Sequence, residues 1–245
     1  MIEVNNLSKY KNDFNVFTHN VPVIYAHFEG QYQGHLYVDD ETDPQVMVLF
    51  TPFDFHYLTG NPQAENVLDK VDEIIFTYLK NNQKKEAILF APTLEWQNVL
   101  DQVFKRHKGI LDKRFIFELD KEVFEKRLED NKVEIVFESE NGSTIEYPVA
   151  RIYQEGKSVS FCAGFMLGKG HAEINVETLE NFRGKGYGKM ASMALIKYLL
   201  DQDIQPDWCT WPYRIASQTL AESLGFVLKE EVPAYIWVEE VCGKL

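Results

Sequence analysis

The sequence predicts an α/β chain built on a mixed sheet, and three observations predict it. Short runs of β-branched and aromatic residues alternate with longer stretches whose apolar residues recur at helical spacing. An Asn141-Gly142 pair separates two strand-like runs, which signals a tight hairpin and antiparallel pairing. A glycine-rich segment, residues 183–188, stands between a strand-like run and a long apolar segment. No Pro/Gly/Ser-rich linker divides the chain. The patterns separate into residues 1–114, a mixed α/β region, and residues 115–245, a second domain that carries the glycine-rich segment.

The elements follow in order. Val23 to Phe28 and Val46 to Phe50 are rich in Val, Ile, Tyr and Phe and read as strands, with Pro22 ahead of the first. His35 to Val38 reads as another. Glu65 to Leu79 places Val67, Val71, Ile74, Ile75 and Tyr78 on one helical face. Ala87 to Ala91 is a short buried strand. Thr93 caps a helix running to Phe104, and Asp120 caps a shorter one over Lys121 to Leu128. Arg114 to Leu119 alternates as a strand between them. Val133 to Glu138 and Thr144 to Tyr153 flank the Asn-Gly turn. Ser158 to Phe165 and Ala172 to Thr178 form an antiparallel pair joined near Gly168-Lys169-Gly170. A helix from Gly186 to Leu200, apolar on most sides, is expected between layers. Asp207 to Trp211 is a strand, Ile215 to Leu224 a helix, and two further strands start at Gly225-Phe226 and at Ala234.

Composition bounds the function. With 45% hydrophobic residues the chain can fill one large core or two smaller ones. A net charge of -13 opposes broad contact with nucleic acid or an anionic membrane, and favours a cationic substrate such as an amine. The three cysteines, Cys162, Cys209 and Cys242, include no Cys-x-x-Cys pair, and the six histidines lack metal-ligand spacing, so neither a disulfide framework nor a metal is expected. The opening Met-Ile-Glu-Val-Asn-Asn lacks the basic and apolar regions of a signal peptide. No apolar run approaches the roughly 20 residues that span a bilayer. A cytoplasmic protein is expected.

Chemistry concentrates in Arg183-Gly184-Lys185-Gly186-Tyr187-Gly188. Glycines there let backbone amides turn inward at a helix start, where the first N–H groups lack partners. The helix dipole adds about 0.3–1 kcal/mol for an anion, and Arg183 and Lys185 add full charges. The segment is therefore an expected phosphate or pyrophosphate cradle. It is not a Walker A loop, which requires Gly-Lys-Ser/Thr, nor a dinucleotide fingerprint, whose glycines are spaced differently.

Arg183-x-x-Gly186-x-Gly188 resembles the R/Q-x-x-G-x-G/A signature of the GNAT acyl-CoA N-acyltransferase superfamily. Ser217-x-x-Leu220-Ala221-x-x-Leu224-Gly225-Phe226 resembles that family's second block. Glu173-Ile174-x-Val176-Glu177-Thr178 with Pro206-x-Trp208 is similar to a bacterial group carrying an additional N-terminal region. The resemblance implies a C-terminal GNAT fold with acetyl-CoA as cosubstrate and an amine as acceptor. It implies that Val176, Glu177 and Thr178 pair with the pantetheine arm through their backbone. By the same resemblance Arg183, Gly184, Lys185, Gly186, Tyr187 and Gly188 hold the pyrophosphate, with Ser217 of the second block beside them; Arg214, which departs from the family, is a further candidate for a cofactor phosphate, an acidic acceptor or solvent. The strand would splay from Trp208–Trp211, leaving a slot for the thioester, and the two tryptophans are either acceptor-pocket walls or core.

Glu173 and Glu177 fall on one face of a strand by period-2 alternation, and each is a candidate general base. The family's usual tyrosine general acid is replaced by Ala221, so Tyr213 and Tyr235 become candidate acids. The family's usual asparagine is replaced by Arg214. These departures keep a non-catalytic acyl-CoA-binding module open beside the enzyme. Cys209 stands near the expected thioester position, which leaves an acyl-cysteine route open, but with no histidine near it in sequence its first reading is a small buried hydrophobe. The N-terminal region is expected to cover the cleft, to mediate contacts in a homodimer, or to be a degenerate half of the same topology.

Overall fold

A computed structural model describes residues 1–128, 133–139 and 144–239. The expected Asn141-Gly142 turn and Cys242 lie outside the described residues. In chain order the first elements are β1 (Ile2–Glu3), α1 (Val21–Phe28), β2 (His35–Val38), β3 (Val46–Phe50) and β4 (Phe55–Gly60). Then come α2 (Val67–Asn81), β5 (Glu86–Phe90), α3 (Leu94–Arg106), β6 (Ile110–Leu119) and α4 (Lys121–Arg127). The rest are β7 (Ile135–Ser139), β8 (Glu146–Gln154), β9 (Lys157–Gly168), β10 (His171–Thr178), α5 (Tyr187–Asp201), β11 (Gln205–Thr210), α6 (Ile215–Leu224) and β12 (Phe226–Val238).

Contacts gather these elements into two compact units. One holds Met1–Thr18, Gln33–Lys113 and the chain from Val232; the other holds His19–Tyr32 and Arg114–Glu231. In the first unit β2, β3 and β4 pair antiparallel, α2 follows, and β5 returns parallel to β4. After α3, the place beside β5 is taken by the end of β12, in the register Tyr235 to Leu89. The helices cover a core that includes Phe50, Tyr78, Trp96 and Leu100. In the second unit β8, β9 and β10 pair antiparallel, α5 follows, and β11 returns parallel to β10. Its core includes Phe124, Cys162, Leu195, Trp208 and Phe226. Each unit therefore repeats one order: three antiparallel strands, a helix, a strand parallel to the third, and a second helix.

Both expected side-chain caps form. Thr93 accepts from the Trp96 amide and Asp120 from the Val123 amide. Two expectations are corrected. Val23 to Phe28 is not a strand but part of α1, with Pro22 in its first turn. Every residue of α1 is buried. A continuous apolar run carries no period to separate a strand from a helix buried on all sides, and proline in the first helical turn costs no hydrogen bond. The last two expected strands are one continuous strand, β12, with Pro233 inside it. β4 was not anticipated, because His56 and Thr59 interrupt its apolar pattern although both are buried.

Helix α1 packs on β9 within the second unit, and Gly168 marks the contact. A Cβ there would stand 2.6 Å from the Ala26 nitrogen and 2.8 Å from the Pro22 carbonyl oxygen, both backbone atoms. Overpacking against backbone costs about 1–3 kcal/mol. Gly168→Ala should lower the denaturant midpoint by a corresponding amount, whereas Gly170→Ala, with open space around its Cβ, should cost only its backbone strain at φ +76°.

Candidate active site

The site forms where two parallel strands part. β10 and β11 pair only at His171–Gln205, Ala172–Pro206 and Glu173–Asp207. Beyond that point β11 is held on its other side by β6, Trp208 facing Phe117 and Thr210 facing Phe115. A cavity of about 720 Å³ opens there. Its walls are Val176–Thr178 of β10, Cys209 and Thr210 of β11 with Trp211 just after it, the glycine-rich loop, and the start of α6.

Local sequence explains the loop. Gly184 and Gly186 have φ of +74° and +80°, which side chains with a Cβ adopt only at a cost, and neither has protein within 4 Å of where a Cβ would stand. Gly186 is the N-cap of α5, so the first amides of a 15-residue helix open toward the cavity. At Gly188 an added Cβ would approach the Thr178 hydroxyl at 3.2 Å, which keeps the helix start close against β10. Arg183 turns back and donates from Nε to the Thr178 carbonyl at 3.1 Å, tying the loop to the strand. Arg114, Arg183, Lys189 and Arg214 line the cavity, against one lining carboxylate, Glu177. In a chain of net charge -13 this local excess of cations selects an anionic ligand.

The expected cofactor residues divide clearly. Val176, Glu177, Thr178, Arg183, Gly184, Gly186, Tyr187, Gly188, Arg214 and Ser217 all line the cavity. Lys185 is not among the lining residues; its ammonium lies 4.8 Å from the centre of the Phe182 ring. The two tryptophans take opposite roles. Trp208 is buried against Phe226 and donates to the Ser217 hydroxyl at 3.2 Å, while Trp211 lines the cavity.

Of the two expected carboxylates, Glu173 is the buried one. β9 carries one extra residue opposite the start of β10: Ala172 faces Leu167 and Glu173 faces Phe165, leaving Met166 unmatched at φ +51°. Such a bulge locally re-aims side chains. Glu173 accepts a hydrogen bond from the Cys209 thiol at 2.9 Å. Arg114 donates from Nη2 to the same sulfur at 2.7 Å, and its guanidinium lies over the Trp211 ring at 4.7 Å. Burial pushes the Glu173 carboxyl up to about 7, helped by nearby Asp207 and opposed by the thiol hydrogen bond and Arg114. Burial also pushes the Cys209 thiol up to about 12. Glu177 is exposed. Tyr213 is 66% exposed and stacks on Trp211, outside the lining residues. Tyr235 belongs to the first unit, where its hydroxyl donates to Asp101 and to the Gln97 carbonyl.

Sequence reading did not bring Arg114 and Cys209 together. No local signal marks either one, because β6 and β11 are about a hundred residues apart and meet only in the folded sheet. Among the described residues no group of three or more His, Cys, Asp or Glu side chains is placed to hold a metal, and no helix is long and apolar enough to cross a membrane.

Residues 14–148 and 149–235 match the family model described as GNAT acetyltransferase. The chain is 23% identical to an uncharacterized N-acetyltransferase of Bacillus subtilis (strain 168), YdfB, over 86% of this chain and 88% of that protein. Its fold is similar to that of a GCN5-related N-acetyltransferase-like protein from Streptococcus suis 89/1591, with a TM-score of 0.66 and 22% identity over 95% of this chain and 98% of that one. It is also similar to a tandem GNAT protein from the clavulanic acid biosynthesis pathway, with a TM-score of 0.61 and 8% identity over 89% and 87% of the two chains.

Proposed function

This chain belongs to the GNAT acetyltransferase family, and from that premise we propose that it moves an acetyl group from acetyl-CoA to a primary amine by direct transfer. The cavity between β10 and β11 carries the reading: a cationic, glycine-lined helix start forms one wall, and a buried carboxyl stands one hydrogen bond behind Cys209 on another. The residues present fit the donor. The open space over Gly184 and Gly186 admits a pyrophosphate to the backbone amides, and Arg183 and Arg214 offset its charge. Val176–Thr178 pair with β9 on one side and have left β11 on the other, where they line the slot in which a pantetheine arm would extend.

Transfer requires a neutral amine, a polarised thioester and a leaving thiolate. As the amine nitrogen bonds to the carbonyl carbon it must lose a proton, and Glu173 is the group to receive it. Its carboxyl, near 7, holds an amine proton yet is ionised in part at neutral pH. Glu173 stands one hydrogen bond behind the cavity wall, so the proton passes across the Cys209 thiol, whose S–H is already directed at Oε1. The carbon–sulfur bond then breaks. A thiolate leaves readily, which fits a site whose usual tyrosine position holds the fully buried Ala221.

The first unit repeats the strand–helix order without the cradle. Asn61-Pro62-Gln63-Ala64-Glu65-Asn66 precedes α2, with no glycine and with Glu65 beside the helix start. A carboxylate there repels a phosphate. Calorimetric titration is therefore expected to give one acetyl-CoA per chain, with CoA binding comparably and ATP not. Absence of acetyl-CoA binding would remove the proposed donor. Two equivalents would assign a site to the first unit as well. Release of free CoA on adding primary amines then identifies the acceptor.

A further inference from the structure

Cys209 has two neighbours that a structural cysteine does not need. Its thiol donates to the buried carboxyl of Glu173 at 2.9 Å, and the guanidinium of Arg114 donates to its sulfur at 2.7 Å. The same residue lines the cavity, in the segment where β11 has left β10. A nucleophile, a base within hydrogen-bond reach and a cation on the nucleophilic atom make up the arrangement that activates a side chain for covalent chemistry. Cys162 is the internal comparison. It is fully buried in the core of the same unit and lines no part of the cavity.

We propose that Cys209 is a self-acylation site, taking the acetyl group from acetyl-CoA when no amine occupies the slot. The inference rests on the acyl-CoA reading of the cavity. In the step, the Cys209 sulfur bonds to the thioester carbonyl carbon as Glu173 accepts the thiol proton. Arg114 holds the negative charge that develops on the sulfur. The bond from that carbon to the CoA sulfur breaks, and the departing thiolate takes up a proton, giving free CoA and S-acetyl-Cys209. One thioester is exchanged for another, so no oxidant or further reactant is required.

The resting thiol is neutral, with burial holding it well above the usual cysteine range, so its proton leaves during the attack and not before. The reaction is accordingly slow beside transfer to an amine, and it emerges when the acceptor is missing. Once acetylated, Cys209 can no longer donate to Glu173, and the route from cavity to base is closed. Self-acylation thus turns donor excess without acceptor into a blocked enzyme.

The test needs no knowledge of the acceptor. The full chain is incubated with acetyl-CoA alone, quenched in acid, and examined by intact-mass and peptide mass spectrometry. Binding of acetyl-CoA is measured in parallel by calorimetry. The expected result is a gain of one acetyl group per chain on the peptide containing Cys209, released by neutral hydroxylamine as a thioester. Cys209→Ala should lose it, and Glu173→Gln should form it at least about 10-fold more slowly. Acetyl-CoA that binds without any mass gain on that peptide overturns the proposal. So does labelling that is equally fast in urea-unfolded chain, which marks simple chemical acylation. Failure of acetyl-CoA to bind overturns the donor assignment itself, a result distinct from the other two.

Discussion

Gly186→Val should abolish measurable acetyl-CoA binding, a loss of more than about 100-fold. The substitution acts twice. Gly186 sits at φ +80°, where a residue with a Cβ costs about 1–2 kcal/mol and a β-branched one more. The larger effect lies in where the new methyls go. No protein atom lies within 4 Å of the added Cβ, so the side chain projects into the space that an approaching phosphate needs. The amides at the start of α5 would be screened from the ligand, and each charge-assisted hydrogen bond lost is worth about 1.5–3 kcal/mol. Gly156→Val separates the two effects. Gly156 has φ +77°, also with open space around its Cβ, but lies in the turn between β8 and β9. It imposes a similar backbone penalty and should leave acetyl-CoA affinity unchanged. Calorimetry on both variants, with circular dichroism as the check on folding, decides the point. Unaltered binding by Gly186→Val would remove the pyrophosphate from this loop.

Glu173→Gln should lower turnover by about 10²–10³-fold while sparing acetyl-CoA affinity. The wild-type rate should climb with pH as the carboxyl ionises near 7, and the variant's profile should lose that limb. Glu177→Gln is the comparison: its side chain is exposed, and a change of no more than a few-fold is expected. If Glu177→Gln instead removes the limb, the two carboxylates exchange roles. Stability supplies an independent readout. The folded carboxyl titrates near 7 against 4.5 for the free group. Below 4.5 both folded and unfolded chains hold the proton. Between 4.5 and 7 the unfolded chain releases it while the folded chain keeps it, so stability falls as pH rises through that window. The loss amounts to about 3 kcal/mol and persists above it. The glutamine variant does not ionise. Its stability relative to wild type should therefore be greater at pH 8 than at pH 4, as read from urea midpoints.

The sequence alone determined the parts whose physics is local. Gly184 and Gly186 before an apolar helix describe a loop that takes positive φ and lets backbone come close to something, whatever surrounds it. Thr93 and Asp120 cap their helices by bonds to amides three residues away, so their roles are complete within one turn. Strands such as Val46–Phe50 and helices such as Ile215–Leu224 follow from composition and period within a single window.

What only the tertiary structure decided depends on distance along the chain. Val21–Phe28 is helical because every side of it is buried, and an apolar run does not report the geometry of its surroundings. The ends of the chain follow the same logic. His19–Tyr32 joins the later unit and the chain from Val232 joins the earlier one, pairings that no local pattern encodes. The two carboxylates of β10 look alike in sequence, on one face and four residues apart. A bulge at Met166, a thiol from β11 and a guanidinium from β6 make one of them a buried group titrating near neutrality and leave the other in solvent. Desolvation is a property of the whole neighbourhood, so the difference between the two carboxylates, and the company kept by Cys209, became definite only when those three strands met.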